Sequence, residues 1–365
     1  MNTFNHFEGQ RRVPDGALNA PTAPAAAALF REDDGAVQCL ACAHKCRIMP
    51  GRTGVCRVRY NQGGVMYAPD GYVAGLQIDP IEKKPFYHVM PGANALSFGM
   101  LGCNFHCDFC QNWISSQMPG AQEQAAGLRA CSANDIVTAA LEHHAPVIVS
   151  TYNEPLITAD WAVRIFEEAA AHNLLRGFVS NGFASPEVIR YLRPATDLFK
   201  VDLKCFSESG YRSLGGRLQP VLDTITMLVD EGFWVEVVTL VVPGFNDGAD
   251  ELHGIARFLA DVSRDIPWHV TAFYPTYKMS DNTPTTCQQL ERACDAGKDA
   301  GLRYVYAGNM RGQMCDWEHT RCHHCGVLLI ERSGFHIVQN RMHKGACPEC
   351  HTAIPGRWTR ATQLP

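Results

Sequence analysis

The sequence predicts an α/β protein, a partial (β/α)6 barrel with a small cysteine-rich module at each end. Short apolar runs alternate with helix-like stretches from residue 95 to residue 300, which implies parallel strands joined by right-handed crossovers. Each apolar run is followed by a polar motif, and parallel α/β barrels assemble their active sites at that end of their strands. Eleven of the sixteen cysteines fall into groups of four, three and four with metal-type spacing. Six strand–helix units are too few for the usual eight-fold barrel, so a barrel with an open side is expected.

Composition bounds the class. The 365 residues are 46% hydrophobic and 19% charged, enough for one large domain with small appendages. A net charge of −5 does not favour a nucleic-acid partner. Cysteines clustered at metal spacing, rather than spread through a small framework, argue for a reducing cytoplasm. Residues 17–29 are apolar but broken by Pro21 and Pro24 and followed by Glu32-Asp33-Asp34. We read residues 1–36 as a flexible arm rather than a leader, and no run reaches the length of a membrane span.

Residues 37–94 form the N-terminal module and connector. Cys39, Cys42, Cys46 and Cys56 lie within eighteen residues, with Gly51 and Gly54 allowing the chain to turn the fourth thiol back. This spacing predicts a metal knuckle, for zinc or an iron–sulfur cluster; His44 inside it reads as a ligand or, the favoured reading, as a polar surface residue. Residues 65–90 alternate strand-like pieces with prolines, as a connector or small sheet.

The barrel spans 95–312. Strands are expected at 95–98, 146–151, 177–180, 198–203, 234–242 and 268–273. Helices are expected at 136–144, 160–172, 186–192, 219–231, 251–262 and 288–300, the first opened by a capping box at Ser132. The loops after the strands carry Cys103–Cys110, Asn153-Glu154-Pro155, Asn181-Gly182, Asp202-Leu203-Lys204, Pro243-Gly244-Phe245-Asn246-Asp247 and Tyr274–Lys278. In 313–365, Cys322-x2-Cys325 and Cys347-x2-Cys350 flank two strand-like segments, 327–331 and 335–339, separated by Ser333-Gly334. That is a zinc-ribbon pattern. Residues 319–360 hold six Arg or Lys against two Glu, which suits docking to an acidic protein patch or to RNA as well as it suits a structural lid. Cys131, Cys205, Cys287, Cys294 and Cys315 are expected to be buried thiols.

Chemistry concentrates in Cys103-x3-Cys107-x2-Cys110. Three thiolates on one loop can hold three irons of a four-iron cluster and leave the fourth open. Around such an iron, the carboxylate, lysine and amide groups suit a small zwitterionic nucleoside. Asp202 can accept from ribose hydroxyls, and Lys204, two residues on, can meet a carboxylate. Asn153 and Glu154 can bind an ammonium group, and Phe109 can shape an adenine pocket. Their structural alternatives are an ion pair at a strand end for Asp202 and Lys204, and a helix N-terminal carboxylate complementing the dipole for Glu154.

The cysteine loop, extended to Gln111-Asn112-Trp113, resembles the signature of radical S-adenosylmethionine (SAM) enzymes. The motifs Asn153-Glu154-Pro155, Ser180-Asn181-Gly182, Asp202-Leu203-Lys204 and Val242-Pro243-Gly244 resemble the pyruvate formate-lyase activating enzyme group. Together with Tyr277-Lys278-Met279, Tyr304–Asn309, Cys322–Arg332 and Ile354–Trp358, they resemble the radical enzyme of the AmmeMemoRadiSam system over about residues 39–358. The resemblance implies a 4Fe-4S cluster on Cys103, Cys107 and Cys110, SAM bound by Phe109, Asn153, Glu154, Asn181, Asp202 and Lys204, and zinc on the C-terminal cysteines. It implies an oxidoreductase that reductively cleaves SAM and removes a hydrogen atom from a substrate. An electron donor such as flavodoxin or ferredoxin is expected, and a protein is the favoured substrate. The alternatives are a small metabolite or nucleoside as substrate, or a non-catalytic zinc-binding interaction protein. Tyr152-Asn153 stands where the activating enzymes have two glycines, and His269 is the nearest residue to their histidine by the sixth strand.

Overall fold

The computed structural model describes residues 20–117, 127–310 and 312–359, apart from the side chain of Cys315. Its centre is an eight-stranded sheet. In chain order the strands are β1 (Gly75–Pro80), β2 (Asn94–Gly99), β3 (Val147–Ser150), β4 (Leu175–Ser180), β5 (Leu198–Asp202), β6 (Trp234–Val241), β7 (Trp268–Ala272) and β8 (Val305–Gly308). They lie side by side in that order. Strands β2 to β8 are parallel and β1 runs antiparallel along β2. The edge strands β1 and β8 do not pair, so the sheet stays open.

All six expected strands are present. The sheet adds β8 and the antiparallel β1, which the prolines of the connector disguise. The parallel strands are buried on both faces, as their near-continuous apolar runs require. Six crossover helices cover the outside: α1 (Ala133–Glu142), α2 (Ala159–Ala171), α3 (Pro186–Leu192), α4 (Leu218–Asp230), α5 (Ala249–Val262) and α6 (Cys287–Asp299). Their starts follow from local chemistry. Ser132 and Asp135 form a capping box before α1, as do Thr286 and Gln289 before α6. Ser185 caps α3, whose Pro186 occupies the first turn.

The expected arm is corrected in part. Residues 1–19 lie outside the described residues. Residues 20–36, however, are built into the fold: Thr22–Pro24 pairs with Val65–Pro69, and Phe30–Asp33 pairs with Ala36–Cys39. Leu29 is fully buried, and the Ala26 N–H donates to Asp160 of α2 at 2.7 Å. The proline-rich stretch forms an edge strand, where a missing N–H is tolerated.

The C-terminal hairpin, Leu328–Ser333 and His336–Asn340, turns at Gly334 and is joined by Thr320–Arg321. It sits against β8 and the segment before β2. Arg332, 2% exposed, is the clamp: its guanidinium donates to the Tyr87 carbonyl at 2.9 Å and Thr320 Oγ1 at 2.7 Å, and stacks 4.3 Å over the Tyr87 ring. His88 joins Pro355 O (2.7 Å) to the Tyr306 hydroxyl (2.6 Å) across the same seam. Among the lone cysteines, Cys205 and Cys294 are buried as expected, whereas Cys131 and Cys287 are only half-buried.

Candidate functional site

The C-terminal ends of the parallel strands converge on a cavity of about 360 Å³. Cys103, Cys107 and Cys110 line it together with Phe109, Asn153, Glu154, Asn181, Asp202 and Lys204, so every residue proposed from the sequence for this pocket reaches it.

The cysteine loop leaves β2 through Gly102, whose φ of +95° is open to glycine. A Cβ at Gly99 would lie 2.5 Å from the Thr151 carbonyl, so β2 ends in close backbone contact with the loop after β3. Other loops hold the cysteine loop down. The Lys278 ammonium meets Asp108 at 2.9 Å, Trp113 stacks on Tyr277 at 5.1 Å, and Gln117 donates to the Phe105 carbonyl at 3.1 Å. The Phe105 N–H donates to Cys103 Sγ at 3.4 Å. Burial pushes the Cys107 thiol up to about 11, while the nearby Lys204 charge pulls it down. Deprotonating three such thiols calls for a bound cation.

Glu154 is wholly enclosed. It caps the short helix Pro155–Thr158 by accepting the Leu156 N–H at 3.0 Å, and also accepts from the Ser180 hydroxyl (2.7 Å) and the Asn181 N–H (2.8 Å). Burial raises its pKa to about 7 despite those donors. The capping role and the place in the cavity therefore coincide in one carboxylate. Asn153 accepts the Met100 N–H at 3.0 Å and tethers the cysteine loop to the end of β3. Before it, Tyr152 takes φ +72°, a left-handed backbone, at the position where the resemblance has glycine. Its ring lies under the Lys84 ammonium at 5.0 Å.

Asn181 donates to Asn104 Oδ1 at 2.7 Å, while Asn104 Nδ2 is buried without a partner. Phe109 packs 5.4 Å from Phe245. Asp202 pairs with Lys200 and, at 3.6 Å, with Lys204. These two cations hold its carboxyl below the usual range although burial opposes them. Lys200 also lines the cavity and was missed from sequence, because it sits within the apolar run Leu198–Val201. The two-residue spacing Lys200, Asp202, Lys204 is the signal that places all three on one strand face.

His269 lies elsewhere. It is at the start of β7, buried, with Nε2 2.7 Å from Glu236 Oε2 at the start of β6. Glu236 also accepts the N–H groups of Tyr87 and His88 at 2.9 Å each, so this pair braces the floor of the sheet rather than its mouth.

A second cavity, of about 440 Å³, adjoins the first through Gln111 and Asn309. Tyr274, Phe335 and His336 line it at the seam with the C-terminal hairpin.

The other cysteine groups differ in spacing. In the C-terminal module Cys322 Sγ is 3.6 Å from Cys350 Sγ, and Cys325 Sγ is 3.7 Å from Cys347 Sγ. A tetrahedral ion with bonds of about 2.3 Å to sulfur requires sulfurs roughly 3.8 Å apart. All four lie within 4.8 Å of one another, and among the described residues this is the group so gathered. Cys103, Cys107 and Cys110 are not gathered in this way, and a cubane would give each of them a separate iron. The residues at the mouth thus fit an iron–sulfur cluster and its nucleoside, with Asn104 Nδ2 an unspent donor beside them. The first cysteine quartet, Cys39, Cys42, Cys46 and Cys56, reaches the same loop, where a Cβ at Gly102 would lie 3.0 Å from the Cys56 carbonyl.

Residues 99–259 match the radical SAM superfamily. The chain is 37% identical over 333 residues to the uncharacterized protein MJ0808 of Methanocaldococcus jannaschii, covering 90% of this chain and 98% of that protein. It is 26% identical over 107 residues to a choline trimethylamine-lyase activating enzyme of Oleidesulfovibrio alaskensis, covering 29% of this chain and 34% of that one. A domain of a pyruvate-formate lyase-activating enzyme from Bacteroides vulgatus superposes with a TM-score of 0.39 at 16% identity, over 44% of this chain and 98% of that domain. No helix among the described residues is long and apolar enough to cross a membrane.

Proposed function

Because the chain belongs to the radical SAM superfamily, and to one family with the methanogen protein MJ0808, we propose that it reductively cleaves SAM to abstract a hydrogen atom from a protein partner. Cys103, Cys107 and Cys110 would hold the 4Fe-4S cluster. The bound cluster and SAM would supply the chemistry, one electron splitting the sulfonium to give the 5′-deoxyadenosyl radical. The chain's own residues would orient and shield that chemistry. Glu154, ionised, would take the methionine ammonium. Lys204 and Lys200 carry the positive charge that suits its carboxylate, and Asp202 between them would accept from the ribose. Phe109 would wall the adenine, with Asn153 and Asn181 fixing the loop ends around it.

The observation that carries a macromolecular substrate is the pair of joined cavities. The first is lined by the residues assigned to the cluster and the nucleoside, and the second adjoins it, so a reacting group can arrive through the second. That second space is bounded by the aromatic rim Tyr274 and Phe335 at the exposed seam, a geometry suited to a loop reaching in. Similarity to the choline trimethylamine-lyase activating enzyme supports the same reading. A flavodoxin- or ferredoxin-type donor would supply the electron, and the C-terminal quartet would hold zinc. The test is anaerobic incubation of the reduced enzyme and SAM with candidate partner proteins. A carbon-centred radical on the partner, seen by electron paramagnetic resonance (EPR), is expected. Turnover of a small molecule with no partner radical would contradict it.

A further inference from the structure

We propose that Cys39, Cys42, Cys46 and Cys56 hold a second iron–sulfur cluster, seated directly beneath the loop that carries Cys103. The four thiols are within electrostatic reach of one another. Cys39, Cys42 and Cys56 are buried and Cys46 is half-buried. The backbone is wound around them: the Cys39 N–H donates to the Cys46 carbonyl at 2.9 Å and the Lys45 N–H to the Cys42 carbonyl at 3.1 Å. Gly54 packs beside Cys46, its Cβ position 3.6 Å from that sulfur.

Spacing separates the two metal chemistries. Zinc on four thiolates needs the tight tetrahedron seen in the C-terminal quartet, with contacts of 3.6 and 3.7 Å. Among the described residues the N-terminal sulfurs are not gathered into such a tetrahedron. Four thiols outside a single-ion tetrahedron suit a four-iron cluster, which gives each thiolate its own iron, better than one ion.

A second observation points into the same site. Arg59 is 1% exposed, and its charge interacts with Cys39 and Cys56. Nη1 binds Asp160 at 2.5 Å and the Ile157 carbonyl at 3.2 Å, but Nε and Nη2 are buried without partners. Buried donors left without acceptors are costly. An anionic, sulfide-bearing cluster supplies acceptors for them.

The position is close to the catalytic loop. A Cβ at Gly102 would lie 3.0 Å from the Cys56 carbonyl and 2.7 Å from Val58, and Gly102 adjoins Cys103. His44, inside the knuckle, bonds the Asn104 carbonyl at 2.9 Å, and the Ala43 N–H bonds the Phe183 carbonyl at 3.0 Å. Cys39, Cys42, Cys46 and Cys56 would thus hold a cluster next to the Cys103 loop, where it would supply a one-electron relay between a low-potential flavodoxin- or ferredoxin-type donor and the cluster on that loop. Each transfer oxidises the giver by one electron and reduces the receiver by one. This role rests on the radical SAM reading; the cluster itself does not.

The experiment is metal analysis and EPR of the full chain purified and reconstituted without oxygen. Wild type is expected to hold about eight irons and one zinc, and the Cys103→Ala/Cys107→Ala/Cys110→Ala variant about four irons with a signal on reduction. About four irons and two zincs in wild type, or a folded triple variant without iron, would overturn the proposal. If the variant does not fold, the wild-type iron-to-zinc ratio decides. A failure of the catalytic reading alone would look different, with eight irons present and SAM left intact.

Discussion

Glu154 accepts the backbone N–H of Asn181 at 2.8 Å, so one buried carboxylate joins the ends of β3 and β4 at the rim of the cavity. Asn181 in turn reaches Asn104 on the cysteine loop at 2.7 Å. Three successive strand ends are thus fixed to one another by two hydrogen bonds. A displacement at any one of them would be felt at the thiols.

The first prediction follows from the charge of Glu154. Glu154→Gln keeps the size but removes the negative partner for an ammonium group, and turns an N–H2 toward donors that need an acceptor. SAM affinity should fall at least about tenfold, equivalent to roughly 1.4 kcal/mol, with iron content unchanged. Equilibrium binding to the reconstituted protein measures this; unaltered affinity would remove Glu154 from the ammonium site.

Gly102 is a second point of strain. Alanine there must adopt φ +95° and would push its Cβ to 2.7 Å from Val58 and 3.0 Å from the Cys56 carbonyl. A cost of about 1–3 kcal/mol is expected for the backbone alone. Gly102→Ala should therefore lower the thermal midpoint and the iron content together, whereas Gly248→Ala, with open space around its Cβ, should change neither.

The C-terminal quartet should behave as an independent zinc site. Cys325 is exposed, and its loss leaves three ligands. Cys325→Ser is expected to lose one zinc per chain while all iron stays. Metal analysis after chelation reads this; loss of iron in step with zinc would contradict it.

His88 makes the seam acid-sensitive. Burial lowers its pKa to about 4, with the Glu236 charge pulling the other way. A histidine whose folded value is depressed contributes stability above its unfolded value near 6.5, and that stability is lost as pH falls toward 4. The loss amounts to at most about 3 kcal/mol. Urea unfolding at pH 7 and at pH 4.5 should show this decline in wild type and a smaller one in His88→Gln. His269, also depressed, keeps the residual slope from vanishing.

Much of this was legible before the structure, for identifiable reasons. The six strands and six helices were readable because each apolar run ends in a polar motif and each helix opens on a cap such as Ser132 or Thr286. The motif residues were readable because they are polar where a core strand should already have ended. Strand β1 was hidden by Pro80 and Pro85, and β8 by its following loop. Residues 20–36 looked like an arm because alanine and proline carry little periodicity, yet Leu29 is buried and Thr22–Pro24 is an edge strand. Lys200 looked like a strand residue until β5 turned it toward Asp202. The hold of Arg332 on Tyr87 spans 245 residues and has no local signature.

The central claim is that three thiols leave one iron to bind and split SAM. It is tested most directly by incubating the anaerobically reconstituted protein with SAM and dithionite and measuring 5′-deoxyadenosine by mass. Wild type is predicted to form it and Cys107→Ala to form none. A fully iron-loaded wild type that leaves SAM intact would contradict the account.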